Sequence, residues 1–323
     1  MIKIAIIVKN KWQQMASKLL HRIIRYILTI KTELEQKYVY NAEHNLDASI
    51  EHYITILRHC SDTSNINVLF NNKRLWVPAQ TLLTMTHCIT FEEKTIVCRV
   101  EENHFMWLYE QVREFKGQVL FVDIGSASGA AVMTLAPRIS GLRTIAFEPS
   151  RKARTLLERM VTVNNIPSVT IYPFAVSDTV SQVPFIEYGL VEGAPAYRPE
   201  TSSLFIPGAI TPDAEVYEVS SVTLDHILGD TIHMHEQDMR VIIKIDVEGF
   251  EGHVLRGAEN YIRTHRPYLA IDIHSEPEDP SVTTLAECTR FFEEMDYSLE
   301  IMDHVLVAQP KPRGSGVHGH TLH

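Results

Sequence analysis

The spacing of apolar residues changes character near Gly117. Beyond it, short apolar runs alternate with stretches whose apolar positions recur every three or four residues, the pattern of a parallel sheet covered by helices on both faces. Strands are expected at Val119–Ile124, Thr144–Phe147, Val169–Pro173, Arg240–Asp246, Tyr268–His274, Ser298–Met302 and Val305–Ala308. Helices fit Ala130–Ile139, Lys152–Asn164, Glu251–Thr264 and Val282–Met295. The last two strands, about two residues apart, read as an antiparallel hairpin closing an otherwise parallel α/β sheet. The stretch from about 175 to 239 is too long for a plain crossover and holds strand-like pieces at Val183–Tyr188, Glu215–Val219 and Val222–Leu224. It is either an insertion that carries substrate specificity or a peripheral hairpin.

Before Gly117 the pattern is mixed. Trp12, Ala16, Leu19, Ile23, Ile27, Ile30 and Leu34 fall on one helical face, with Lys11, Lys18, Arg22, Arg25 and Lys31 opposite. Such a basic amphipathic helix over residues 11–34 either packs its stripe internally or in a homo-oligomer, or lies peripherally on an anionic membrane surface. The charges at Lys18, Arg22 and Arg25 interrupt any bilayer-spanning run, and no secretory-leader pattern is present, so a cytoplasmic location is expected. A helix at Ile50–Leu57, β-rich pieces over Asn65–Val77 around an Asn71-Asn72 turn, a strand at Thr95–Val100 and a helix at Glu102–Phe115 complete this region. The chain therefore divides into a helical and α+β extension (1–116), an α/β domain (117–308) and a tail (309–323).

Charge and composition narrow the chemistry. A formal net charge of −10 argues against nucleic acid as the main partner, the more so because residues 1–31 carry Lys and Arg but no acid and leave the remainder more acidic still. Cys60, Cys88, Cys98 and Cys288 lack metal-site or disulfide-framework spacing, which points to reduced thiols. His233 and His235, like His318, His320 and His323 in the Gly-containing tail, have no carboxylate or Cys partners nearby in sequence, and no metal site is assigned from them.

Three strand ends carry the candidate chemistry. Phe121–Gly129 runs from an apolar strand into a Gly-containing loop and a helix, so Asp123, Gly125, Ser126 and Gly129 are candidate cofactor residues. Its GxxxG spacing differs from the GxGxxG of dinucleotide sites, which disfavours an NAD-dependent oxidoreductase. About twenty residues on, Glu148 and Pro149 end the next strand, where a carboxylate can accept hydrogen bonds from ribose hydroxyls. Ile243–Glu251 then delivers Lys244, Asp246 and Glu248 to a strand terminus, a charge density suited to an active site and costly in a core. His274 ends the following strand, where an imidazole can accept a hydroxyl proton near neutral pH. Asp246, Glu248 and His274 offer oxygen and nitrogen ligands, but their spacing alone establishes no metal site.

These residues carry a resemblance to the FkbM-type methyltransferase family. The matching pieces are DIGSASG at Asp123–Gly129, FEPS at Phe147–Ser150, AVSD at Ala175–Asp178, SSLF at Ser202–Phe205, VTLDHIL at Val222–Leu228, KIDVEGFE at Lys244–Glu251, VLRGA at Val254–Ala258 and DIH at Asp272–His274. KIDVEGFE followed closely by VLRGA is highly specific. Ala127 stands where the family usually has Asn, and Asp272 where Glu is more usual. The resemblance implies a Rossmann-like class I methyltransferase sheet and S-adenosyl-L-methionine as cofactor. It also implies O-methylation of a hydroxyl on a sugar, glycan or other natural product. By the same resemblance Asp123 and Gly125 would line the methionine end, Glu148 the ribose, and Ser177 and Asp178 the adenine side. His274 or Asp246 would take the acceptor proton, with Glu248 orienting the acceptor or Lys244. A degenerate methyltransferase fold that binds or scaffolds without catalysis is the alternative.

Overall fold

The computed structural model describes residues 65–71, 73–78, 81–82, 89–92, 95–98, 103–166, 168–187, 203–204, 214–229, 239–275 and 282–312. The helices expected at 11–34 and 50–57, the histidines at 233 and 235, and those of the tail lie outside them. The chain divides into two compact units, residues 1–59 with 91–95, and residues 60–90 with 96–323. Nearly all described residues belong to the second.

In chain order the elements are β1 (Asn65–Phe70), β2 (Lys73–Pro78), β3 (Ile89–Glu92), β4 (Thr95–Cys98), α1 (Asn103–Val112), β5 (Gln118–Ile124), α2 (Ala130–Leu135), β6 (Leu142–Phe147), α3 (Arg151–Val163), β7 (Val169–Tyr172), β8 (Ala175–Val176), β9 (Ser181–Glu187), β10 (Ser203–Leu204), β11 (Glu215–Val222), α4 (Leu224–Gly229), β12 (Met239–Ile245), α5 (Glu251–Arg256), α6 (Glu259–His265), β13 (Tyr268–Asp272), α7 (Leu285–Phe291), β14 (Tyr297–Met302) and β15 (Val305–Pro310). A seven-stranded sheet runs in the order β14-β15-β13-β12-β5-β6-β7. Its strands are parallel except β15, which pairs antiparallel with both β13 and β14. This is the Rossmann-like α/β sheet with a terminal hairpin that the apolar runs specify.

The strand order locates the site. From β5 the chain passes outward to β6 and β7, then returns to place β12 on the other side of β5. The crevice between the carboxyl ends of β5 and β12 is therefore the topological switch point, where open α/β sheets bind ligands. Side chains alternate across each strand: Leu120, Val122, Ile124, Ile243, Ile245, Leu269 and Ile271 join a buried cluster with Val254, Leu255, Ile262 and Phe292. The opposite face carries Phe121 and Ile242, also buried, and then Asp123 and Lys244, which the parallel register sets side by side.

On α3, Ala153, Leu156, Leu157 and Met160 are buried at helical spacing, and Ser150 caps the helix by accepting from Ala153 N at 3.0 Å. The helix expected over Glu251–Thr264 is two, broken at Gly257. A Cβ there would stand 2.0 Å from Ser177 O, so the AVSD and VLRGA motifs meet backbone to backbone. Asp225 of VTLDHIL caps the second piece, its carboxylate accepting from Tyr261 N at 2.7 Å and Asn260 N at 3.1 Å. The insertion forms a separate sheet ordered β10-β9-β11-β8, in which the expected pieces at 215–219 and 222–224 are one strand followed by a helix.

The β1–β2 hairpin, which turns at Asn71 as expected, is bonded to the α/β layer. Asn71 Nδ2 donates to Thr134 Oγ1 at 2.9 Å, Arg138 donates to Asn71 O, and Asn164 exchanges two 2.8 Å hydrogen bonds with the Trp76 backbone. Cys98 and Cys288 are buried. Among the described residues no helix is long and apolar enough to cross a membrane.

Candidate active site

The loop after β5 is shaped by its neighbours. Gly125 has φ 75°, and a Cβ there would lie 1.8 Å from Asp246 O, so this glycine is required by the approach of the β12 backbone. Gly125 N and Ser126 N both donate to Phe147 O, at 3.0 and 3.1 Å. Ser126 Oγ donates to Asp123 O at 2.9 Å, and Gly129, φ 96°, opens α2 against Leu157. Ala127 also lies in the left-handed region, φ 46°. Glycine or Asn tolerates that backbone better than Ala does. Ala127→Gly is therefore expected to raise stability by about 1 kcal/mol, read as a higher urea midpoint at unchanged m value; an unchanged or lower midpoint would mean that the loop is unstrained.

Glu148, expected to face a ribose, has protein partners. It is buried, and its oxygens accept from Ala127 N and Ser150 N, each at 2.7 Å, so it fastens the loop to the start of α3. Burial pushes its pKa up to about 7 against the opposing pull of those two amides. Pro149 follows, its carbonyl accepting from Arg154 at 3.1 Å. The insertion docks beside it. Glu187, at the end of β9 and 1% exposed, accepts from Ser150 Oγ and from Lys152 N at 3.1 Å, while Tyr217 of β11 accepts from Arg151 N at 3.1 Å.

Between the loop and the β12 terminus sits Lys244. Its Nζ donates to Gly125 O at 2.9 Å and stands 3.6 Å from Asp123 Oδ1 and 3.0 Å from Asp246 Oδ2. One ammonium thus serves two carboxylates. Asp123 is completely buried, neither of its oxygens accepts a hydrogen bond, and burial raises its pKa despite Lys244. Asp246 goes the other way. Burial tends to raise its pKa, but Lys244 and His274 outweigh it and hold the group below the ordinary carboxylate range, with a smaller contribution from buried His104 on α1.

Asp246, Glu248 and His274 come together at the rim. His274 Nε2 lies 3.8 Å from Asp246 Oδ1 and 3.8 Å from Glu248 Oε1. Burial, reinforced by the negative charge of Asp246 and Glu251 and opposed by His274, pushes the Glu248 pKa up to about 7. For His274 burial is unfavourable to the charged form, yet the Glu251 hydrogen bond and the charges of Asp246 and Glu248 carry its pKa up to about 9. The carboxylates around it thus favour the charged imidazole.

Ser177 and Asp178, expected beside an adenine, have protein partners. Ser177 N donates to Val222 O at 2.8 Å, and Asp178 Oδ2 lies 3.0 Å from both Arg256 Nε and His253 Nδ1. The residue that the sequence reading missed is Glu251. It is completely buried, and its Oε1 accepts from Gly249 N at 3.0 Å and lies 3.0 Å from His274 Nδ1, tying the β12 loop to the end of β13. Its signal was an acid closing a tight turn three residues after Glu248.

A Rossmann-like sheet with a glycine loop, a strand-end acid and a charged rim around its switch point defines a class I methyltransferase architecture. The model of the methyltransferase FkbM domain matches residues 123–299, more than half of the chain, and the protein belongs to the FkbM methyltransferase family. Among solved structures it is similar to the FkbM methyltransferase of Methylobacillus flagellatus KT, at 19% identity and a TM-score of 0.40, covering 63% of this chain and 47% of that one. The chain thus spans about half the length of that relative. It is also similar to the precorrin-6y C5,15-methyltransferase of Geobacter metallireducens GS-15, at 12% identity and a TM-score of 0.37, covering 66% of this chain and 90% of that one. An rRNA methylase of Streptococcus thermophilus shows 11% identity and a TM-score of 0.36, covering 66% and 99%. Among curated proteins none matches the chain.

Proposed function

We propose that this methyltransferase uses S-adenosylmethionine and methylates a hydroxyl of a sugar, glycan or other small natural product. The observation that carries this reading is the buried Asp123, whose oxygens accept no hydrogen bond among the described residues and which shares Lys244 with Asp246. The excess negative charge at the switch point suits a donor bearing an ammonium and a sulfonium, and the Glu148 carboxylate beside the loop suits ribose hydroxyls. When bound, that donor supplies an electrophilic methyl: its carbon–sulfur bond breaks as the acceptor oxygen–carbon bond forms, and the hydroxyl proton must leave. Asp246 and Glu248 are the rim carboxylates able to take that proton, while His274 holds them by charge and Lys244 fixes Asp246 against the loop.

Binding of S-adenosylhomocysteine by calorimetry, followed by transfer of labelled methyl to hydroxylated acceptors, tests the proposal. Absence of binding would favour the scaffold reading, and binding of NAD instead would favour an oxidoreductase.

The raised pKa of Glu148 adds a pH signature. Its folded value near 7 exceeds an ordinary carboxyl value, so its contribution to stability is greatest at low pH and is lost as pH rises through 7. Ribose binding by the carboxylate runs oppositely: affinity should rise about tenfold from pH 6 to pH 8 as one group ionises. Glu148→Gln should flatten that rise. An equal pH dependence in the variant would remove Glu148 from the cofactor site.

A further inference from the structure

We infer that the rim is a divalent-cation site in which Asp246, Glu248 and His274 are the protein ligands, and that the cation holds the acceptor hydroxyl. The inference rests on the methyl-transfer reading for the role of the ion, but on geometry alone for its place. One ligand atom from each of the three side chains lies within 4.8 Å of the other two. The two His274 distances, both 3.8 Å, are too long for hydrogen bonds. They exceed by under an ångström the separation of roughly 3 Å between neighbouring ligands of an octahedral Mg²⁺ or Mn²⁺ at bond lengths near 2.1 Å, so small side-chain rotations would close the three around an ion.

The surroundings orient the three atoms. Lys244 occupies Asp246 Oδ2, which leaves Oδ1 toward the imidazole. Glu251 sits behind the ring on Nδ1, which leaves Nε2 toward the carboxylates, the arrangement by which a carboxylate orients a metal-binding histidine, and the ion would displace the Nε2 proton to solvent as it binds. Glu251 is itself completely buried, and its second oxygen accepts no hydrogen bond, so the cluster carries more negative charge than its own cations answer. Two carboxylates and an imidazole suit a hard or borderline divalent ion, and three protein ligands leave room for the acceptor oxygen and water. An alcohol bound to such an ion gives up its proton more readily, here to a solvent or carboxylate base, as its oxygen attacks the methyl carbon.

The test is titration of the full chain with Mn²⁺ alone, following the free-ion electron paramagnetic resonance signal, with circular dichroism as the check on folding. The expected result is one saturable Mn²⁺ per chain, weakened at least tenfold in Glu248→Gln and in His274→Ala and unchanged in Glu287→Gln, an acid outside the cluster. Glu248 holds no hydrogen bond in the loop, so its variant keeps the test valid if His274→Ala fails to fold. No saturable binding at millimolar Mn²⁺, or equal binding in all variants, would overturn the inference. Parallel calorimetry with S-adenosylhomocysteine separates the two readings: cofactor binding without Mn²⁺ binding removes the cation alone, and Mn²⁺ binding without cofactor binding removes methyl transfer alone.

Discussion

Asp246→Asn is expected to slow methyl transfer about 100-fold or more, the scale of losing a positioned proton acceptor, while leaving S-adenosylhomocysteine affinity nearly unchanged. The substitution keeps the shape of the side chain but removes the charge that faces Lys244 at 3.0 Å and His274 at 3.8 Å. Initial rates with labelled donor and an authentic acceptor, set beside calorimetry, check both halves. A parallel loss of cofactor affinity would mean that Asp246 works through Lys244 on the glycine loop. Full activity would mean that the rim is structural.

The second large effect is expected at Gly125. Gly125→Ala puts a methyl group 1.8 Å from the Asp246 carbonyl at a backbone angle of φ 75°, and neither strand end can retreat without opening the β5–β12 register. A loss of about 3 kcal/mol or more is expected, from overpacking together with backbone strain. Urea unfolding measures it, and a midpoint within error of the parent would show that the two strand ends are less tightly joined than the structure has them.

How far the sequence alone leads can be judged at these positions. Strands β5, β12 and β13 at the centre of the main sheet follow from short apolar runs because a strand buried on both faces needs little else to define it. Ends were less legible. The break at Gly257 coincides with a close approach to Ser177 O, eighty residues upstream, and no local preference of the Glu251–Thr264 stretch reports that approach. The site was legible as strand ends carrying charge: Asp246, Glu248 and His274 do converge. Their ionisation was not, because it depends on Glu251 and on burial, and the single lysine between Asp123 and Asp246 emerges only from the parallel register. Ser177 and Asp178, given an adenine-side role only by the family resemblance, are also held by Val222, Arg256 and His253, contacts that no local pattern reports.

The β1–β2 hairpin bears on how the chain is made. Its hydrogen-bond partners Thr134 and Asn164 follow it by 63 and 88 residues, so both α2 and α3 leave the ribosome well after the hairpin does. At common synthesis rates that interval is on the order of ten seconds. During it the hairpin, whose Val68, Phe70, Leu75 and Val77 are buried in the finished fold, lacks its hydrogen-bond partners on α2 and at the end of α3. The nascent chain thus passes through a window in which an apolar β-hairpin is a natural client for a chaperone, and the window closes only when Asn164 has been added.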